Sequence, residues 1–152
     1  MLDPFVRRFI RASLLWLGLG VVIGVWMAVR PAAMAYRPAH LHANLLGFVS
    51  MMIFGVAYHI LPRFTGHPLH SRRLANLHVW VANAGLAAMV AGFILRVHLW
   101  RAGSALLGVG GTASAAGAFL FIYNLWRTLD EPARRANPLP TLERAPAARK
   151  SA

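Results

Sequence analysis

Four apolar runs, at residues 12–29, 40–61, 77–95 and 102–126, are each about long enough to cross the hydrocarbon of a bilayer as a helix. No other feature constrains the chain as tightly. In hydrocarbon every backbone N–H and C=O must be satisfied within the structure, so runs of this length are helices. The expected fold is all-α, an integral membrane four-helix bundle with helices at about 10–30, 39–62, 73–98 and 102–127 in a domain spanning 1–127.

Charge matters because of where it falls. The formal net charge is +12 over 152 residues. On a soluble domain it would suggest a nucleic-acid partner. Here the basic residues are gathered between and beyond the apolar runs, so the expected partner is the lipid bilayer and no nucleic acid. Arg7, Arg8, Arg11, Arg63, Arg72, Arg73 and Arg127 fall on one side, and only Arg30, Arg37, Arg96 and Arg101 on the other. The positive-inside rule then puts both termini and the 62–73 loop in the cytoplasm.

Residues 1–11 read as a short basic leader. A signal peptide is disfavoured because the first run is longer than an h-region, and Trp26 and Arg30 suit a cleavage site poorly. Gly20 and Gly24 have the spacing that lets helices approach closely. Pro62 is expected to end the second helix, because the residue before proline is pushed out of helical geometry. The fourth run carries Gly103, Gly108, Gly110, Gly111 and Gly117, which suits helix packing better than lipid contact. The 128–152 segment, rich in Pro, Ala and Arg, reads as a disordered cytoplasmic tail.

The chemistry-bearing residues are histidines. Cysteine is absent, which excludes thiolate metal sites and covalent c-type haem attachment. The four acidic residues, Asp3, Asp130, Glu131 and Glu143, lie near the termini, so no carboxylate is available in the membrane. His40 and His42 stand at the entrance of the second helix and His98 at the matching end of the third. His59 and His78 match in depth at the other face, while His67 and His70 lie in the loop. Several intramembrane histidines suggest haem or metal ligation.

His42 and His59 are roughly 25 Å apart along an ideal helix and cannot share one haem. At 100° per residue His42 and His59 differ by about 100° in direction, and His78 and His98 by about 160°, which favours one haem over two. Each histidine also has a plainer role. His40, beside Pro38, and His59, near the headgroups, can reach water; His98, between Arg96 and Trp100, suits an interfacial belt. His78 can make a helix-to-helix hydrogen bond, and His67 and His70 can simply be solvated.

The string His42-Ala-Asn44-Leu-Leu-Gly47, preceded by Arg37 and followed by Gly55, Tyr58 and Pro62, resembles the second transmembrane helix of the haem-copper oxidase catalytic subunit. It is closest to the nitric oxide reductase branch and the high-affinity oxidases. With His40, Leu74-Ala75 and His78-x-Trp80, the pattern looks like short four-helix relatives of that subunit. The resemblance covers about a third of the chain. It implies that His42 is an axial ligand of a low-spin haem b near the outer face, in a multi-pass protein of a bacterial-type inner (cytoplasmic) membrane.

In the full-length family the second low-spin ligand, the copper-site histidines and the high-spin haem ligand come from later helices. The resemblance therefore implies haem binding for electron transfer or small-gas binding, and does not imply enzymatic reduction of oxygen or nitric oxide. The sixth ligand could be His98, a histidine of a second copy in a homodimer, or absent; His78 with His59 is the alternative site. Arg37 and Arg101 are on the right side to pair with propionates. Two further expectations stand beside this one. One is a cofactor-free accessory or assembly subunit of a respiratory complex, knitted by Asn44, His78 and Asn83. The other is a copper or divalent-metal handler using His40, His42 and the loop histidines.

Overall fold

The computed structural model describes residues 2–99 and 101–130. The expected 131–152 part of the tail lies outside the described residues. Helix α1 spans Pro4–Val29. A 3₁₀ segment, Pro31–Tyr36, runs into α2, Arg37–His42, and then into a π-helical stretch, Ala43–Ser50. Helix α3 is Met51–Thr65, α4 is Arg72–Val97 and α5 is Ala102–Asp130. The segments from Pro31 to Thr65 form one continuous helical span, giving four spans long and apolar enough to cross a membrane. The fold is all-α, and no strand occurs among the described residues. The N-terminus, the α3–α4 loop and the end of α5 share what is here called the termini end; the connections near residues 30 and 100 form the turn end.

Helix α1 begins well inside the supposed leader. Proline at its first position lacks the N–H that would be orphaned there. Phe5, Val6 and Phe9 are then buried on one face while Arg7, Arg8 and Arg11 point outward. Phe5 packs edge-on against Tyr58 at 5.7 Å between ring centroids, and Phe9 meets Phe54 at 5.9 Å and His78 at 4.8 Å. This leader supplies the heart of the core.

Pro62 does not stop the second span. It sits in the last turn, where a missing donor costs one bond rather than a run of them. Side chains serve the nearby carbonyls: Arg63 donates to the oxygen of His59, and Thr65 Oγ1 to that of Leu61 at 2.9 Å. The helix stops at Gly66, in the left-handed region at φ +70°, a conformation glycine adopts without steric cost.

Helices α4 and α5 pack closely along a seam of small residues. Gly103, Gly110 and Gly117 recur every seven positions and are buried against α4. A methyl group on Gly85 would lie 2.7 Å from the nitrogen of Ser114, and one on Gly92 2.8 Å from the oxygen of Gly103. Close backbone approach of this kind supplies packing where lipid offers no hydrophobic drive between helices. Gly108 faces open space. Leu15, Val22, Val109, Phe119 and Trp126 point outward, as hydrocarbon-facing residues do.

Polar side chains tie α1 to α4 along their length. Asp3 pairs with Arg72 at 2.7 Å, Arg8 donates to Asn76 at 2.9 Å, and Trp16 Nε1 donates to Asn83 Oδ1 at 3.1 Å.

Candidate histidine site

Of the two histidines at the entrance of the second span, His40 is held inside. Its Nδ1 lies 2.8 Å from the carbonyl of Gly20, and Asn44 Nδ2 lies 3.3 Å from the same nitrogen. The ring passes over Gly24, where a methyl would fall 2.9 Å from Cε1. Gly20 and Gly24 therefore receive Asn44 and His40 within the chain, so this small-residue face is taken. His40 is spent joining the second span to α1.

His42 is placed differently. Its Nδ1 lies 2.8 Å from the carbonyl oxygen of Pro38, one turn back on the same helix. A carbonyl only accepts, so Nδ1 carries a proton, and in the neutral ring the lone pair is then on Nε2. Nε2 has no hydrogen-bond partner among the described residues. The ring is half-buried and lies 4.7 Å from that of Phe93 on α4. A backbone carbonyl that fixes one imidazole nitrogen and aims the other is the usual support for a metal-ligating histidine.

Depth matching brought neither expected pair into contact. His98 is exposed at the end of α4 and its Nε2 lies 3.1 Å from the hydroxyl of Tyr36, which stacks on Trp26 at 4.8 Å. To serve as a second ligand through Nε2 it would have to leave Tyr36. His78 is fully buried, with Nδ1 3.2 Å from the hydroxyl of Tyr58, the helix-to-helix bond that the sequence allowed. The rings of Phe9, Phe54 and Phe121 surround it at 4.8, 4.7 and 5.8 Å. His78 Nε2 and His59 Nδ1 are buried without a hydrogen-bond partner.

The loop histidines are not simply solvated. His67 Nδ1 donates to the carbonyl of Thr128 at 3.1 Å, and His70 is half-buried edge-on to Tyr123 at 5.8 Å. Arg37 and Arg101 are exposed at the turn end. The divalent-metal expectation drew on His40, His42 and the loop histidines His67 and His70. They lie at opposite ends of the second span, and no group of three or more His, Asp or Glu among the described residues could hold a metal ion.

The angular argument against two haems also changes, because it assumed one regular α-helix. The π-helical stretch from Ala43 to Ser50 closes i→i+5 turns and rotates everything after it relative to His42. No composition signal marked that stretch. Nor did any mark Tyr36, the hydrogen-bond partner of His98; Tyr58, the partner of His78, stood only in the motif that carries the resemblance.

No family model matches the chain. It is 30% identical over 157 aligned residues to the Cbb3-type cytochrome c oxidase subunit CcoN1 of Stutzerimonas stutzeri, covering 84% of this chain and 33% of that protein. The chain is a short relative of cytochrome c oxidase subunit 1. The cytochrome c oxidase subunit 1 of Rhodobacter capsulatus is 26% identical over 165 residues, covering 89% of this chain and 31% of its own length. The bacteroid cytochrome c oxidase subunit 1 homolog of Bradyrhizobium diazoefficiens is 27% identical over 157 residues, covering 84% and 28%. The chain thus spans about a third of the length of these relatives. With its four apolar spans, it is an oxidase-related, multi-pass membrane protein of bacterial type.

An iron porphyrin, implied by the oxidase resemblance, is tested best at His42. The donor chemistry fits there: one nitrogen is pinned by Pro38 and the other is available. It fits poorly at His40, packed across Gly24, and at His78, walled by aromatic rings.

Proposed function

We propose that this oxidase-related protein binds a b-type haem through His42 and acts in electron transfer or small-gas binding in a bacterial inner membrane, with both termini cytoplasmic. The observation that carries the reading is the His42 ring, with Nδ1 held by the Pro38 carbonyl and Nε2 unpartnered. A bound haem supplies an iron that is redox-active when both axial positions are filled and open to gases when one is vacant.

The chain's own part is to fix the ring. Pro38 sets the tautomer, and Phe93 presents an aromatic wall on the flank. Arg37 and Arg101 stand at the same end for propionate pairing. The sixth position belongs to His98 after release from Tyr36, to a histidine of a second copy in a homodimer, or to an external ligand.

A second reading, a cofactor-free accessory or assembly subunit of a respiratory complex, draws on the helix-to-helix use of His40, His78 and Asn83. One preparation separates the two. Purified in detergent, a haem protein shows a Soret band that shifts on reduction, and carbon monoxide perturbs it if a position is open. A colourless protein that co-purifies with oxidase subunits supports the second reading and ends the first.

A further inference from the structure

The termini end holds a cleft of about 620 Å³, lined by Tyr58, Pro62, Arg63, His67, Leu69 and Arg72 among others. It stands apart from the proposed haem ligand: Arg63 lies roughly 30 Å along the second span from His42, at about 1.5 Å per residue. Its floor is a buried polar group, the Tyr58 side chain, 1% exposed and bonded through its hydroxyl to His78. Its rim is cationic. Arg63, Arg72 and His67 line it together with one carboxylate, Asp3, which Arg72 Nη2 holds at 2.7 Å.

The loop forming one wall is held, not loose. Asn124 and Thr128 of α5 are both fully buried. Asn124 Oδ1 accepts from the nitrogen of Ser71 at 2.9 Å, and its Nδ2 donates to the Ser71 carbonyl at 2.9 Å. Thr128 Oγ1 accepts from the nitrogen of His70 at 3.0 Å, and its carbonyl accepts from His67 Nδ1 at 3.1 Å. The imidazole is therefore presented by a fixed frame, which lowers the ordering cost of binding. Helix α3, ending at Gly66, contributes Arg63 to the lining.

Two arginines lining one space suit the oxygens of a phosphate ester, because Arg63 spends one N–H on the His59 carbonyl and a guanidinium carries five. The cleft opens where the spans end, beside Pro62, Pro68 and Leu69. An apolar border at that depth matches the glycerol and upper acyl carbons of a lipid. We propose that this cleft is a binding site for a phosphate-bearing anion, and that an anionic phospholipid headgroup is its source. Asp3 is the internal competitor, which an entering phosphate must displace from Arg72.

Native mass spectrometry of the full chain in detergent tests this, with phosphatidylglycerol, phosphatidylcholine and inorganic phosphate offered separately. Phosphatidylglycerol should be retained over phosphatidylcholine. Arg63→Gln should weaken retention about tenfold, the usual scale for a lost charge-assisted hydrogen bond. Asp3→Asn should strengthen it, a gain that misfolding cannot produce. Arg127→Gln, on the same end but outside the cleft, should leave it unchanged. Inorganic phosphate bound with the same residue dependence, without lipid retention, would support the site and make its source soluble. Equal loss in Arg63→Gln and Arg127→Gln, equal retention of phosphatidylcholine, or no binding by any probe overturns the proposal. Circular dichroism establishes that each variant keeps its helicity.

Discussion

His42 and His78 stand at opposite ends of the bundle and show what burial does to an imidazole. His78 is wholly enclosed, bonded to Tyr58 and ringed by Phe9, Phe54 and Phe121. Its neighbours belong to or pack against the buried core, and any ligand there would have to push aromatic rings out. His42 is half-exposed, fixed by one carbonyl and free at its other nitrogen. The buried histidine holds helices together, whereas the peripheral one leaves Nε2 unpartnered, which the proposed ligand role requires.

Exchanging the fates of these two residues would break that contrast. The largest expected effect is loss of the pigment: His42→Ala should remove the Soret band nearly completely while the variant inserts and unfolds like the parent. His78→Ala should do the reverse. It opens a cavity among aromatic rings and removes the imidazole partner of the Tyr58 hydroxyl, and should cost about 2–4 kcal/mol in detergent-titrated unfolding. The pigment of the folded fraction should persist. A His78 variant that is stable but colourless would reverse the two roles.

The seam between α4 and α5 offers a smaller contrast within one helix. A methyl on Gly110 would meet the Gly85 carbonyl oxygen at 2.6 Å and Met89 Cγ at 2.9 Å, so Gly110→Ala should destabilise by about 1–3 kcal/mol. Gly108, with nothing within 4 Å, should tolerate alanine or gain about 0.5–1 kcal/mol from helix propensity. Equal effects at both positions in the same unfolding assay would mean that the close approach is absent. Smallest of all, Asn83→Ala leaves Trp16 Nε1 without its acceptor and should cost about 0.6 kcal/mol, near the mean for hydrogen bonds between membrane helices. An unchanged unfolding midpoint would remove that bond from the account.

The four spans are legible because length in hydrocarbon is a local property of the sequence. Phe5, Val6 and Phe9 are not, since the intervening arginines give the segment the composition of a leader and only the helical face reveals its core. Pro62 misleads because the bias of a residue before proline is a preference, which Leu61 overrides in a last turn closed by Arg63 and Thr65 side chains. Depth along the membrane can be counted from residue numbers and does sort the histidines by level. Direction cannot be counted through the π-helical stretch after His42, and the pairings of His40 with Gly20 and His98 with Tyr36 join different spans, which residue numbers do not orient. The glycines of α5 read as packing residues, but only the structure separates Gly103, Gly110 and Gly117, which meet α4, from Gly108, which meets nothing.

Replacing His42 with glycine and then restoring the missing ring from solution tests the central assignment most directly. In the purified His42→Gly protein supplied with haem, the Soret band should be lost or displaced, and added imidazole should restore it to the wild-type position and shift on reduction. A His42→Gly protein that keeps the wild-type spectrum without imidazole would show that His42 is not the ligand.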